Sequence, residues 1–340
     1  MRALVIDRPG AEPRLRDVPA PAPREGECLV RLEFAQVNHL DGELARGSFG
    51  MPAEYPLIPG MEGAGTIVAA PGAAELLGAR AAVPYTVPCG DCAECRAGRD
   101  ELCRRRLLPG VNRQGTYAEY IALSREQLVR LPDAVSLSDA AGFQGGLVVA
   151  WHAVRTQADL QPGDSVLITG ATGSLGAALA EVARSRGAQA IGLARDAARA
   201  QSVSGWFAGG MVLSHPGWPD AVRERAGSGG LAAVIDLVGG DLLGACLPLL
   251  RPGGTLVALG SAGADASQID ARLFYQRQIA VRGSRRFRTA ERDEVLELLA
   301  RGELRLPPAQ LFRLADARAA LSAITSRTFG GRILIDLRGD

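Results

Sequence analysis

Four cysteines within fifteen residues are the densest group of reactive side chains in this 340-residue chain. In the stretch CGDCAECRAGRDELC, Cys89, Cys92 and Cys95 stand three residues apart, and Cys103 follows eight residues later. Four thiolates so close in sequence can surround one tetrahedral zinc ion and leave no open position. Disulfides are the alternative, but the chain shows no secretory leader and its length allows a large core without such cross-links. We therefore predict one structural zinc ion that organises a lobe and does no chemistry.

A glycine-rich loop follows the apolar stretch SVLIT at 165–169 and precedes a helix-like stretch. Small residues there let backbone amides approach a pyrophosphate at the positive end of the helix. The spacing is G-x-x-G-x-x-G rather than G-x-G-x-x-G, so the surrounding strand and helix carry much of the argument. We predict that the loop binds a dinucleotide through Gly170, Ala171, Thr172, Gly173, Ser174, Leu175 and Gly176.

The tip of the next strand indicates which dinucleotide is bound. NAD enzymes usually end this strand with Asp or Glu, which binds the ribose diol. Here the strand ends at Ala194 and Arg195 follows, with Arg199 one helical turn further on. A guanidinium can pair with a 2′-phosphate, whereas Asp196 is better placed to cap the following helix. We therefore predict NADPH rather than NADH.

Composition restricts the possible partners. The net charge is +1, which gives no general reason to expect nucleic acid binding. No apolar run reaches the roughly 18 residues of a membrane span. We expect a cytoplasmic protein that binds a small molecule, neither a nucleic acid nor a membrane. Cys28 and Cys246, outside the cluster, are interpreted as small buried apolar residues.

The character of the sequence changes near residue 138. The preceding part is β-rich, with strands predicted at 28–34, 63–69 and 81–87. Afterwards a helix is predicted at 138–156, with a possible break at Gly145 and Gly146, and strands then alternate with helices. The later predicted strands are 165–169, 190–193, 232–238, 255–259, 279–282 and 332–337, and the later helices are 174–186, 291–301 and 316–324. Continuous apolar strands are typical of a parallel sheet covered on both faces.

With the cysteine cluster and the loop, the whole chain resembles the zinc-type medium-chain dehydrogenase/reductase superfamily. It is most similar to the quinone oxidoreductase-like branch that keeps the structural zinc lobe. Further matching segments are 37–41 (VNHLD), 59–65 (PGMEGAG), 274–275 (FY), 281–284 (VRGS) and 330–332 (GGR). The resemblance implies an α/β fold: a GroES-like β domain at 1–147 and 284–340, a doubly wound Rossmann domain at 148–283, and a cofactor cleft between them. We also assign cofactor binding to Gly260, Ser261 and Arg332.

Alcohol dehydrogenases of this superfamily hold a second, catalytic zinc with a Cys, a His-Glu pair and often another Cys. Asn38 stands at the position of the first Cys and Met61 at that of the His, although Glu62 remains. No Cys occurs in 143–147, and Leu40 replaces the hydroxyl residue of the proton relay. None of the three histidines occupies a ligand position; they are His39, His152 and His215. The resemblance therefore implies that no catalytic zinc is bound.

Hydride transfer without a Lewis acid suits an acceptor that is already electrophilic, such as a quinone or an α,β-unsaturated carbonyl. Related enoyl reductases use a Tyr at a position that is Phe49 here. The catalytic candidates are Tyr85 as a phenolic donor, Asn38, Asp41 and Gln144. Alternatives remain open: a non-catalytic NADPH-binding sensor or structural relative, an alcohol or aldehyde dehydrogenase, or an enoyl-CoA reductase in which Arg285, Arg286 or Arg288 binds phosphate.

The predicted strands at 255–259 and 279–282 lie at the end of the Rossmann half. In relatives this edge pairs with its two-fold mate and extends the sheet across a dimer. Because an unpaired apolar edge invites aggregation, we expect a homodimer.

Overall fold

The computed structural model describes residues 1–47, 54–261, 263, 266–326 and 330–339. The chain folds into two units. The first comprises Met1–Gly145, Leu299–Arg301 and Pro308–Asp340, and the second comprises Gly146–Leu298 and Gly302–Pro307. Residues 146–147, 284–298 and 302–307 thus group with the second unit, whereas the sequence prediction assigned them to the first.

The packing of one helix explains this difference. The helix Thr289–Ala300 carries Glu291 and Glu294. His152 Nδ1 lies 2.8 Å from Glu291 Oε2, and Trp151 Nε1 donates to Glu294 Oε2 at 3.3 Å. The buried histidine and its carboxylate therefore fix the first turns of this helix to the second unit. The sequence alone does not reveal this pairing, since its members are 139 residues apart.

The strands of the described residues are numbered in chain order. They are β1 (Arg2–Val5), β2 (Arg14–Asp17), β3 (Glu27–Gln36), β4 (Gly63–Ala69), β5 (Arg80–Ala82), β6 (Tyr120–Ser124), β7 (Val129–Arg130), β8 (Ser165–Thr169), β9 (Gln189–Ala194), β10 (Met211–Leu213), β11 (Leu231–Asp236), β12 (Leu250–Ala258), β13 (Ala280–Gly283), β14 (Ala309–Arg313) and β15 (Arg332–Asp336).

The α-helices of the described residues are numbered in the same way. They are α1 (His39–Ala45), α2 (Ala93–Arg96), α3 (Leu137–Ala140), α4 (Val149–Trp151), α5 (Ser174–Ser185), α6 (Ala197–Val203), α7 (Trp218–Ala226), α8 (Asp241–Cys246), α9 (Ala271–Arg277), α10 (Thr289–Ala300) and α11 (Ala317–Ser326). Two π-helical segments, Gln144–Val148 and His152–Gln157, flank α4. Short 3₁₀ turns lie at Ala74–Leu76, Asp100–Leu102, Ser204–Trp206, Leu247–Leu249 and Leu314–Asp316.

The first unit is built around a mixed sheet in the order β14-β15-β3-β4-β5-β7, with β6 also paired to β3. The ten-residue β3 is central because it pairs antiparallel with β4, β6 and β15. Its buried residues partly alternate with more exposed ones, as expected for a strand with one face on a core. A Cβ on Gly65 would fall 1.9 Å from Arg31 O, so glycine permits the close approach of β3 and β4. This unit is the predicted GroES-like β domain.

The second unit is a six-stranded sheet in the order β10-β9-β8-β11-β12-β13, and every pairing in it is parallel. β8 and β11, which are fully buried along their length, form the centre of the sheet. The order reverses between these two strands, which is the switch point of a doubly wound Rossmann fold. Ligands of such sheets bind outside the carboxyl ends of the strands at this point. The predicted fold class is confirmed.

Two element predictions differ from the structure, one in the type of helix and one in the length of a strand. The region expected to be one helix at 138–156 is helical, but it consists of α3, α4 and the two π-helical segments; the first of these segments contains the Gly145–Gly146 pair. The strand expected at 81–87 ends at Ala82, and Pro84 lacks the N–H that a ladder requires. No helix among the residues described combines the length and apolar character that a membrane crossing requires.

Candidate functional site

The four clustered cysteines lie together in the first unit. All four sulfur atoms are within 4.8 Å of one another. Cys92 Sγ and Cys95 Sγ are 3.4 Å apart, and Cys89 Sγ lies 3.5 Å from Cys103 Sγ. A tetrahedral zinc with Zn–S bonds of about 2.3 Å would hold its sulfurs about 3.8 Å apart, so the donor set fits the ion. Across the described ranges it is the one group of three or more such side chains with this proximity.

The glycine loop lies between β8 and α5, at the carboxyl edge of the parallel sheet. Gly170 has a φ of +62°, which favours glycine, and Gly173 is the N-cap of the twelve-residue α5. A Cβ on Gly176 would stand 2.5 Å from Ala171 O, so only glycine lets the helix start against the loop. The predicted dinucleotide loop therefore has the turn and the helix N-terminus that a pyrophosphate requires.

A buried carboxylate that the sequence prediction missed shapes the neighbouring loop. Asp236, the last residue of β11, accepts a hydrogen bond from Thr169 Oγ1 at 2.5 Å and one from Gly239 N at 2.8 Å. A Cβ on Gly260 would meet Leu237 O at 2.8 Å, so the loop after β11 packs closely against the loop that follows β12. Gly260 and Ser261 thus lie at the same carboxyl edge as the glycine loop. The sequence did contain a signal for this residue, because the apolar stretch AAVID at 232–236 ends in Asp236.

The tip of β9 has the arrangement that the sequence predicted. Ala194 is buried at the end of the strand and Arg195 is exposed, with no ion pair to any described residue. Asp196 is the N-cap of α6, and its Oδ1 accepts a hydrogen bond from Arg199 N at 2.7 Å. The one carboxylate near the tip is therefore engaged in capping, and the Arg195 guanidinium remains available to an anion.

Three of the polar residues noted in the first unit form one network. Asn38 Nδ2 donates to Glu62 Oε1 at 3.1 Å, and Asn38 N donates to Asp41 Oδ2 at 2.8 Å. Tyr117, which the sequence prediction did not include, donates its hydroxyl to Asp41 Oδ2 at 2.8 Å. Burial raises the pKa of Asp41 and that of Glu62 to about 7, because a charged carboxylate loses its hydration there.

Gln144 and Tyr85 are also neighbours, but Gln144 has a structural role in the first unit. Its Oε1 accepts from Tyr85 N at 3.0 Å, and its Nε2 donates to Val83 O at 2.8 Å. The buried amide thus replaces strand pairing where β5 has ended. Tyr85 is half-buried and packs against the apolar cluster described next. Phe49, where the sequence prediction noted a missing Tyr, lies outside the described residues.

Met61 lies in an apolar cluster in place of the histidine ligand of the alcohol dehydrogenases. Met61, Leu108 and Val111 are buried together, with Leu40 and Tyr85 packed against them. Catalytic zinc sites use imidazole, thiolate or carboxylate ligands. The Met61 thioether and the Asn38 amide, which donates to Glu62, are not ligands of this kind, so these residues do not form a catalytic zinc site.

Arg332, predicted to bind cofactor, is only 3% exposed and lies at the start of β15. Its Nη2 donates to Asp139 Oδ1 at 2.9 Å and its Nη1 to Ser138 O at 3.2 Å. Burial lowers the pKa of this guanidinium, although Asp139 partly offsets the effect. In this structure Arg332 therefore ties β15 to α3, and its role at a cofactor stays a prediction.

Comparison with known proteins agrees with this architecture. Residues 24–133 match the alcohol dehydrogenase GroES-like domain, and residues 174–301 match the zinc-binding dehydrogenase family. An alcohol dehydrogenase of Geobacillus stearothermophilus is 27% identical over 354 residues, covering 100% of both chains. A solved NAD-dependent alcohol dehydrogenase has a TM-score of 0.89 at 28% identity, covering 99% of each chain. A zinc-binding dehydrogenase from Sinorhizobium meliloti 1021, solved with NADP, has a TM-score of 0.87 at 25% identity, covering 98% of each.

The fold and the two sites define an oxidoreductase with a structural zinc site and a nicotinamide cofactor site. The chain belongs to the zinc-type medium-chain dehydrogenase/reductase superfamily.

Proposed function

We propose that the protein is an NADPH-dependent oxidoreductase that transfers a hydride to a quinone or an α,β-unsaturated carbonyl without a catalytic zinc. The observation that carries the proposal is the composition of the polar network around Asn38. At the positions of two zinc ligands the chain places an amide that donates to Glu62 and a Met61 buried in an apolar cluster. Such a site can offer hydrogen bonds and apolar contact, but no metal to polarise an alcohol oxygen.

The acceptor chemistry follows from this restriction. The nicotinamide, when bound, supplies the hydride. For an enone, the hydride adds to the β-carbon, the C=C electron pair moves toward the oxygen, and a proton then reaches the α-carbon. The protein has to stabilise the negative oxygen and provide the proton. Asn38 and Tyr85 carry the N–H and O–H donors suited to the first task.

NADPH is proposed from the strand tip. Ala194 presents no carboxylate that would repel a 2′-phosphate, and the exposed Arg195 has no competing ion pair among the described residues. The relatives do not decide between the cofactors, since one solved structure is of an NAD-dependent enzyme and another contains NADP. The argument therefore rests on this chain's own residues.

The experiment is a panel of acceptors with NADPH oxidation followed by absorbance. Naphthoquinones and cyclic enones should be reduced, and simple ketones and aldehydes should react far more slowly. Tyr85→Phe removes only the phenolic O–H and tests that donor, since the ring and its packing remain. Tight NADPH binding with no turnover on any acceptor would instead support a non-catalytic sensor.

A second candidate is an alcohol dehydrogenase, favoured by the names of the relatives and by the retention of Glu62. It predicts oxidation of alcohols by NADP⁺ or NAD⁺ and a second tightly bound zinc. Alcohol oxidation without quinone or enone reduction would decide in its favour.

We also infer a homodimer formed through β13. This strand is one of the two edge strands of the parallel sheet, the other being β10. Val281 on β13 is 42% exposed, and Tyr275 on the preceding α9 is 72% exposed. Pairing with a second copy of β13 would cover this edge.

A further inference from the structure

Asn38 is held from two directions by buried carboxylates. Its backbone N–H donates to Asp41 Oδ2 at 2.8 Å, where α1 begins, and its side-chain Nδ2 donates to Glu62 Oε1 at 3.1 Å. Asp41 and Glu62 are both buried, whereas Asn38 itself is half-buried. The two carboxylates therefore fix the backbone and the amide of a residue that is itself only half-buried.

The Glu62 contact determines which way the Asn38 amide faces. An ionised carboxylate only accepts hydrogen bonds, so the amide must turn its nitrogen, not its oxygen, toward Glu62. The other oxygen, Oε2, accepts from Gly145 N at 3.0 Å, which holds the carboxylate in place. A Cβ on residue 145 would stand 2.5 Å from Glu62 Oε1, so a glycine is needed there. The planar amino group then has a second N–H, which has no partner among the described residues.

We propose that Glu62 is a positioning residue that directs this second N–H of Asn38 at the carbonyl oxygen of the acceptor. The inference rests on the proposed function, because it identifies the hydrogen-bond donor that replaces a metal. The accepting charge of Glu62 also polarises the amino group and strengthens its other hydrogen bond. This stronger hydrogen bond would stabilise the negative charge that develops on the acceptor oxygen during hydride transfer.

The charge state of Glu62 gives the arrangement a pH dependence. Burial raises the pKa of Glu62 to about 7, with Gly145 N and Asn38 acting in the opposite direction. The charged groups that act on it are Asp41, which raises its pKa, and Arg332, which lowers it. Tyr117 keeps its proton, because burial raises its pKa well above the usual value. Protonated Glu62 carries its own donor, so the Asn38 amide then loses its fixed orientation.

The sequence offers a direct readout, because Asn38 and Asn112 are the only two asparagines in the chain. Protein with ¹⁵N in its asparagine side chains gives two NH₂ groups by NMR. Asn112 is an internal control, since its Oδ1 accepts from Leu108 N at 2.7 Å and its Nδ2 donates to Arg106 O at 3.2 Å. Asn38→Asp assigns the two signals.

The Asn38 amino signals should titrate with a midpoint near pH 7 while those of Asn112 stay constant. Glu62→Gln should abolish this titration. A titration that survives in Glu62→Gln would assign the effect to Asp41 and overturn the proposal, as would an Asn38 signal that ignores pH. If Glu62→Gln fails to fold, Glu62→Asp shortens the carboxylate by one methylene and should weaken the titration; an unchanged response would contradict the proposal.

Kinetics add a second, independent readout. Glu62→Gln should lower kcat for the acceptor by at least about tenfold, leave NADPH affinity unchanged, and remove the rise of kcat/KM with pH near 7. Glu291→Gln is the matched control, because it neutralises another buried carboxylate in the other unit; its pH profile should follow the wild type. If the wild type reduces no acceptor, the proposed function fails, while the NMR titration still decides the role of Glu62.

Discussion

Removing the Arg195 guanidinium tests the cofactor assignment most simply. Arg195 is exposed at the tip of β9, and the neighbouring Asp196 is engaged as the cap of α6. A hydrogen bond to a charged group contributes about 1.5–3 kcal/mol. Since about 1.4 kcal/mol corresponds to tenfold in affinity, wild-type protein should bind NADPH roughly ten- to a hundredfold more tightly than NADH. Arg195→Ala should remove most of this difference and leave the affinity for NADH nearly unchanged.

The assay is a fluorescence titration of each reduced cofactor at two salt concentrations. The NADPH advantage should shrink at high salt, because the contact is at the surface and is screened. Arg130→Ala, which removes an exposed arginine of the first unit, should change neither affinity. The double change Ala194→Asp with Arg195→Ala should invert the preference. Equal binding of both cofactors by wild-type protein, or an equal loss for both in Arg195→Ala, would refute this interpretation of the strand tip.

Three further predictions concern metal, pH and assembly. Cys92→Ser should lower the melting temperature, and a chelator should destabilise the wild type more than it slows the initial rate; a rate that falls first would contradict a purely structural zinc. The raised pKa of Glu62 means that the unfolded chain loses this proton first as pH rises. Its contribution to the free energy of unfolding, up to about 3 kcal/mol, is therefore present below about pH 4.5 and lost as pH rises through about 7. The free energy of unfolding, measured with urea at pH 5 and pH 8, should change less with pH in Glu62→Gln than in the wild type. An equal change in the two proteins would refute this prediction. Light scattering at micromolar concentration should give a dimer, and Val281→Lys should give a monomer; a monomeric wild type would reject the β13 interface.

Local sequence patterns predicted the parts of the molecule that depend on local geometry. The cysteine cluster comes together because fifteen residues form one compact lobe around α2. The glycine loop is recognisable because its small residues are required by backbone contacts within the loop, such as that between residue 176 and Ala171 O. The capping role of Asp196 is likewise a contact between residues three apart.

The remaining features depend on contacts that are distant in sequence. Tyr117 reaches Asp41 across 76 positions, and Gln144 reaches Val83 across 61. No periodicity signals such pairs, so the contact of Gln144 with the end of β5 was not predicted, and its catalytic role stays a prediction. The π-helical segments were not predicted either. His152, the first residue of the second segment, lies 2.8 Å from Glu291 of α10, a contact that the helical pattern at 138–156 does not reveal.

The central claim is that hydride transfer proceeds with only the structural zinc bound. The most direct test is the zinc content of purified protein, determined by elemental analysis on the same sample whose turnover of a quinone or enone is measured. We expect one zinc per chain in fully active protein, held by Cys89, Cys92, Cys95 and Cys103. Two tightly bound zinc ions per chain, with activity lost when one is removed, would contradict the account.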